Sequence, residues 1–249
     1  MAISHTAFSL ISMIFLAGSL VMMWFVILSG VTHTSPLSQT YFLRANTDGI
    51  SGARPISQWT YFYVCGDSNT DCSAPHPAPA VGSAWDGEPR RAPPAELLGG
   101  YGGNTTSFGY WYMWRFGWVF YLIALFFAVL AFFFGFVACC SRLGSAISGL
   151  ITLAALIFYT IAVSLMTATF VKMRNAFIAD SREAELGRWA FGFSWGAWAA
   201  LLISTVLFCL GRRANKPDGV GPRRTWGRRR KSTHSRKSFD GRRVKEEYP

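Results

Sequence analysis

Cys65 and Cys72 are the residues whose spacing most clearly suggests chemistry. They enclose six residues, Gly66, Asp67 and Asn69 among them, a flexible turn able to close a disulfide. Two free thiols and a metal site are the alternatives. Zinc wants four N or S ligands, and His76 is the only imidazole nearby, so oxidation of the pair is the favoured outcome. Downstream, Asn104-Thr105-Thr106 is a glycosylation sequon. Cys139, Cys140 and Cys209 fall at the ends of apolar runs, where they serve either as acylation sites or as small apolar packing residues. No nucleophile stands at a suggestive distance from a base, and no glycine-rich phosphate loop or metal-ligand pair is present. The chain does not read as an enzyme, and no cofactor is expected.

These residues are separated by segments with other duties. Of 249 residues, 51% are hydrophobic, yet the formal net charge is +11. Apolar and charged residues are segregated along the chain. Four segments, 7–31, 116–140, 146–171 and 189–210, carry no Asp, Glu, Lys, Arg or His. A helix rising 1.5 Å per residue needs roughly 20 residues to cross a hydrocarbon core of about 30 Å, so each is long enough to span. In lipid the backbone must satisfy itself, and helices follow despite the many Phe, Val and Ile residues. The first segment reads as a retained span rather than a cleaved signal peptide. It lacks a basic leading region, and Met22, Met23 and Trp24 stand where small residues would be needed. Transporters and proton relays place ionisable groups at membrane depth, so their absence here weighs against a channel or transporter.

From residue 211 onward, fourteen Lys and Arg face four acids, a net +10. Positive flanks stay on the cytoplasmic side. With four spans, residues 1–6, the turn 141–145 and the tail 211–249 are then cytoplasmic, and the loops 32–115 and 172–188 are extracellular. Lys172, Arg174 and Arg188 oppose this assignment but are outweighed by the tail. The paired cysteines and the sequon both fall in the first outer loop, as an oxidising lumen requires. Trp111, Trp114, Trp118, Trp189, Trp195 and Trp198 sit near outer span ends and read as interfacial anchors.

Within the first outer loop, Thr40–Arg44 and Trp59–Cys65 are rich in strand-forming residues, and alternation would put Trp59, Tyr61, Tyr63 and Cys65 on one face. Asn46-Thr47-Asp48-Gly49 is turn chemistry. Residues 73–103 are rich in Pro, Ala and Gly and suggest an irregular or mobile segment. Phe108–Trp114 reads as a further strand or as a lead-in to the second span. The fold class expected is an all-α membrane protein: a four-helix bundle with a small disulfide-stapled extracellular sheet and a disordered basic tail.

Arg44-Ala45-Asn46-Thr47-Asp48-Gly49-Ile50, then Gln58-Trp59-Thr60-Tyr61-Phe62-Tyr63-Val64-Cys65, then Cys72, set among four spans, resembles the fungal Sur-seven/PalI family. The resemblance is densest between Tyr41 and Cys72 and marks Arg44, Asn46, Gly49, Trp59 and Thr60 as the loop motif. Members are claudin-like, and the Trp followed by two Cys looks like the claudin signature. The claudin Gly-Leu-Trp element is absent, so the likeness to animal claudins is architectural. The resemblance implies a plasma-membrane protein of eisosomes, static cortical furrows, tied to membrane organisation, endocytosis, cell-wall synthesis and stress tolerance. The PalI branch implies ambient-pH sensing instead.

Small residues recur at helical spacing: Ala124, Ala128, Ala131, Gly135 and Cys139 in the second span, Thr160, Ser164 and Ala168 in the third, Gly192, Gly196 and Ala200 in the fourth. They permit close helix approach, within the bundle first and between copies or towards eisosome proteins second. In the tail, Arg212, Arg213, Arg223, Arg224, Arg228, Arg229, Arg230 and Lys231 lead a cationic run suited to anionic inner-leaflet lipids, phosphatidylserine and phosphoinositides. A topology determinant without further role is the alternative, and no fold for nucleic acid is evident. Ser232, Thr233, Ser235 and Ser238 are placed for a phosphorylation switch that would cancel this charge.

Overall fold

The computed structural model describes residues 2–32, 34–86, 92–138 and 142–213. Four long helices dominate: α1 (Ala2–Ile27), α2 (Phe108–Ala138), α3 (Arg142–Ala179) and α4 (Arg188–Arg213). All four contain stretches long and apolar enough to cross a membrane. Their ends depart from the apolar edges read in the sequence. α1 stops at Ile27, and the chain turns away at Gly30, whose φ is +85°. A β-carbon there would lie 3.0 Å from the Tyr63 ring and 3.1 Å from Thr60 Oγ1. Glycine thus lets the outgoing chain pass directly beneath the outer sheet.

α2 begins at Phe108, so the segment 108–114 is helix and not a strand. α3 is about 57 Å long at 1.5 Å per residue and carries Lys172 and Arg174 near its C-terminal end. At that length α3 exceeds a hydrocarbon core of about 30 Å, which leaves room for two cations beyond the apolar run.

The sheet has four short antiparallel strands, β1 (Leu43–Asn46), β2 (Ile56–Trp59), β3 (Val64–Cys65) and β4 (Ala184–Leu186), in the order β3-β2-β1-β4. Trp59–Cys65 is therefore not one strand. The chain reverses after Trp59, pairs Trp59 with Val64 and Gln58 with Cys65, and closes the reversal with Thr60 N–H donating to the Tyr63 carbonyl at 3.0 Å. Thr60 Oγ1 accepts from Tyr63 N–H at 3.2 Å, which makes a hydroxyl the fastener of the hairpin. β4 comes from the second outer loop and pairs Leu43 with Leu186 and Ala45 with Ala184. Both outer loops thus belong to one module on one end of the bundle.

Inside the bundle, Ala124, Ala128 and Ala131 of α2 and Ala155 and Ala162 of α3 are fully buried. Alanine lets the two backbones approach, as lipid-embedded packing requires. α1 and α4 run antiparallel and are joined by hydroxyls. Ser12 Oγ donates to the Ser204 carbonyl at 2.8 Å, Ser204 Oγ donates back to the Ser12 carbonyl at 3.0 Å, and Ser19 Oγ reaches the Ala197 carbonyl at 3.0 Å. Tyr121 OH ties α2 to the Met23 carbonyl at 2.9 Å, and Ser148 Oγ ties α3 to the Ala131 carbonyl at 3.2 Å.

Candidate functional site

The outer module is built around the residues singled out by the sequence. Cys65 and Cys72 form a disulfide. The turn between them is clamped by two ion pairs, Arg44 Nε to Asp67 Oδ1 at 2.9 Å and Arg54 Nε to Asp71 Oδ2 at 2.8 Å. From its middle, Asn69 runs inward and is completely buried. Its N–H donates to Gln58 Oε1 at 2.9 Å, and its Nδ2 donates to the Leu37 and Thr40 carbonyls at 2.9 and 3.1 Å. The disulfide, two arginines and one asparagine thus lock the same turn to β1, β2 and the segment before them.

Trp59 is 2% exposed, and its indole donates to the Val81 carbonyl at 3.0 Å. Its ring packs against Trp85 and against Phe177 of α3, with centroids 6.2 and 5.9 Å away. Trp85 in turn donates to the Thr105 carbonyl at 3.3 Å. The Pro- and Ala-rich segment is irregular as expected, but where it is described it is packed: Ala78, Val81, Ala84, Trp85 and Leu97 are all buried. Expecting mobility from composition alone overlooked the two indoles that pin it.

Beneath the sheet lies an aromatic plug. Phe42 stacks on Phe170 of α3 at 4.9 Å and meets Tyr61 edge-on at 5.0 Å. Tyr61 continues to Tyr121 of α2 at 4.7 Å, and Trp114 packs on Phe170 at 5.0 Å. Trp114, 2% exposed, is part of this joint and not an interfacial anchor. Trp189 and Trp195 do face outward. Trp111 carries the Arg115 guanidinium over its ring at 3.8 Å.

The loop motif divides by task. Arg44 and Trp59 make the contacts above, and Thr60 fastens the hairpin. Asn46 Oδ1 accepts from Asp48 N–H at 2.9 Å, and Gly49 takes φ +75°, so these two shape the turn after β1. Arg182 of the second outer loop donates to the Asp48 carbonyl at 2.9 Å and binds that turn from outside.

Next to the motif, Tyr41, Arg44, Gln58, Asp67, Glu185, Arg188 and Trp189 line a cleft of about 390 Å³. Burial pushes the Tyr41 phenol up from its ordinary value, so it remains a neutral donor through the physiological range. A second cleft, of about 570 Å³, lies between Glu96, Tyr110, Met113 and Lys172.

Of the other residues marked from sequence, Asn104 is exposed in a left-handed turn at φ +64°, four residues before α2. Thr106 of its sequon is fully buried and accepts from Gly82 N–H at 2.9 Å. Gly135 belongs to the interior, where an added β-carbon would meet Met13 Sδ. Gly196 faces α1, with Met22 Sδ 3.1 Å from an added β-carbon, whereas Gly192 opens on empty space. Of the α3 stripe, Thr160 and Ser164 are exposed and Ala168 is half-buried, yet Thr160 still touches α4, accepting from the Trp198 indole at 2.9 Å. Cys209 is a free, exposed thiol. Cys139, Cys140, Arg223, Arg224, Arg228, Arg229, Arg230, Lys231, Ser232, Thr233, Ser235 and Ser238 lie outside the described residues, as do the side chains of Arg212 and Arg213.

Sequence reasoning missed β4, Trp85, the Gln58–Asn69 lock and the Ser12–Ser204 pair. Ala184-Glu185-Leu186 has no β-branched residue to announce a strand. A serine on an apolar face is the one signal that could have found the helix lock.

The whole of this framework, from the first apolar span to the last, is matched by the model of the SUR7/PalI family over residues 8–207. The chain belongs to that family. Protein SUR7 of Candida albicans is 32% identical over 209 residues, covering 84% of this chain and 75% of the relative. Protein SUR7 of Saccharomyces cerevisiae is 29% identical over 205 residues, covering 81% of this chain and 65% of the relative. An uncharacterised plasma membrane protein of the same yeast is 27% identical over 203 residues, covering 79% and 65%. The chain thus spans about two thirds of the Saccharomyces relatives and three quarters of the Candida one. SUR7-family membership and the helices agree on a membrane protein with four candidate spans and a small disulfide-stapled sheet.

Proposed function

We propose that the chain is a non-enzymatic organiser of the plasma membrane, with both termini cytoplasmic and the sheet outside, gathered into static cortical patches of the eisosome kind. It would support membrane organisation, endocytosis and cell-wall integrity from there. The observation that carries this is the filling of the molecule. Among the described residues no Asp, Glu, Lys, Arg or His side chain is buried, and the buried polar groups are hydroxyls, indoles and the amides of Gln58 and Asn69. The bundle is closed by alanines and hydroxyl bonds and capped by aromatics, which suits a rigid membrane-embedded body better than a conduit. The basic tail would hold phosphatidylserine and phosphoinositides beneath it.

A sensor or adaptor of the PalI type is the second proposal, favoured by the two clefts on the outer module. Live imaging of the full chain with a fluorescent tag after Pro249, followed by photobleaching, separates the two. Patches that fail to recover within minutes support the organiser. A uniform, quickly recovering or endosomal signal favours the sensor and rejects the patch.

A further inference from the structure

The cleft beside Arg44 has a charge pattern that the loop motif does not use. Arg44 and Asp67 are bound to each other across its wall. Glu185 of β4 and Arg188 at the start of α4 also line it, and among the described residues neither has an ion-pair partner. Glu185 stands opposite Arg44 in the β1–β4 register and feels its charge, but neither it nor Arg188 is closed into an ion pair among the described residues, so the cleft presents an anion and a cation open to a ligand. A ligand of single charge is attracted by one of these groups and repelled by the other. A zwitterion meets two attracting ones.

The depth of the cleft narrows the choice further. Arg188 opens both α4 and its apolar span. Trp189 follows, half-exposed, and its ring packs on Phe193 at 5.8 Å, which in turn packs on Phe25 of α1 at 5.5 Å. An amphipathic indole between a charged rim and a descending apolar wall marks the headgroup layer of a bilayer. The polar cleft and the aromatic wall between α4 and α1 are thus continuous, as the polar and apolar ends of one lipid would require.

We propose that this cleft holds the headgroup of a zwitterionic phospholipid of the phosphocholine class, from the leaflet on the sheet side. Arg188 takes the phosphate, for which a guanidinium offers a fork of donors. Glu185 takes the ammonium, with the Trp189 and Tyr41 rings supplying π-faces for its methyl groups. One acyl chain lies along Trp189, Phe193 and Phe25. The assignment requires only that the bundle cross a bilayer, and it stands or falls apart from patch formation.

The test is native mass spectrometry of the purified full chain, supplied with equal amounts of phosphatidylcholine and phosphatidylglycerol. The wild type should retain phosphatidylcholine several-fold over phosphatidylglycerol, which has the phosphate but no ammonium. Glu185→Gln should erase that preference while still retaining phosphatidylglycerol. Arg188→Gln should lower retention of both lipids several-fold. Arg54→Gln, which breaks an ion pair on the same module outside the cleft, should behave as wild type. Equal retention of the two lipids by the wild type would overturn the proposal, as would a preference that survives both cleft variants or an Arg54→Gln loss as large as that of Arg188→Gln.

Discussion

Trp59 does three things at once: it ends β2, donates a buried hydrogen bond to Val81, and packs the outer module on Phe177 of α3. Replacing the indole by a phenyl ring leaves a buried carbonyl unsatisfied, a cost of about 1–3 kcal/mol, and trims the packed ring as well. Trp59→Phe should therefore lower the thermal midpoint of the protein in detergent by several degrees, at about 2–4 °C per kcal/mol for a chain of this size. Trp59→Ala adds the cavity and should cost about 3–5 kcal/mol. Equal midpoints for Trp59→Phe and wild type would show that the Val81 bond contributes nothing. The disulfide acts on the unfolded chain instead. For so short a loop the chain-entropy estimate is about 2.5 kcal/mol, so a Cys65→Ser, Cys72→Ser double variant should unfold earlier by that much. The cysteine pair and Trp59 were legible because side-chain chemistry and spacing announce them. Asn69 was not, because its importance comes from the Leu37 and Thr40 carbonyls it reaches, thirty residues away in sequence.

The helices were legible as spans, since twenty uncharged residues in a row have few other fates, but their partners were not. Which face of an almost uniformly apolar helix turns inward is decided by packing, and the small-residue stripes point inward fully on α2 and only in part on α3 and α4. Ala124, Ala128 and Ala131 are interior, whereas Thr160 and Ser164 of α3 are exposed and the two glycines of α4 differ from each other. That difference sharpens a test of self-association. A β-carbon at Gly192 has no atom of the described residues within 4 Å, so Gly192→Leu should leave the protomer's thermal midpoint unchanged. Should patches disperse in that variant, the face around Gly192 joins copies; should they persist unchanged, it does not. Gly196→Leu collides with Met22 and should destabilise the α1–α4 pair whatever happens to patches. The same pair offers a cycle through Ser12→Ala and Ser204→Ala. Reciprocal hydroxyl bonds in a membrane should couple by about 0.6 kcal/mol and not beyond about 1.7, read from unfolding in bicelles. Zero coupling would make the two serines ordinary small residues.

At the scale of the described residues, antiparallel α1 and α4 and a sheet drawing strands from both interhelical loops put the start of α1 and the end of α4 at the end of the bundle opposite the sheet. In the proposed topology the +10 tail stays on the cytoplasmic side, where it would lie against an anionic leaflet. Each Lys or Arg near such a surface contributes about 1 kcal/mol, screened by salt. Aspartate at Ser232, Thr233, Ser235 and Ser238 adds four negative charges and takes the tail from +10 to +6. In vesicles containing phosphatidylserine, energy transfer from a dye after Pro249 to a membrane dye should be high for the wild type. It should fall for the four-aspartate variant, and for both proteins in 1 M salt, where the screening length shrinks to about 3 Å. Removing phosphatidylserine should have the same effect as salt. Because a topology determinant needs its charge only during insertion, transfer that ignores salt, lipid and aspartate alike would reduce the tail to that role and leave the membrane-organising work to the helices.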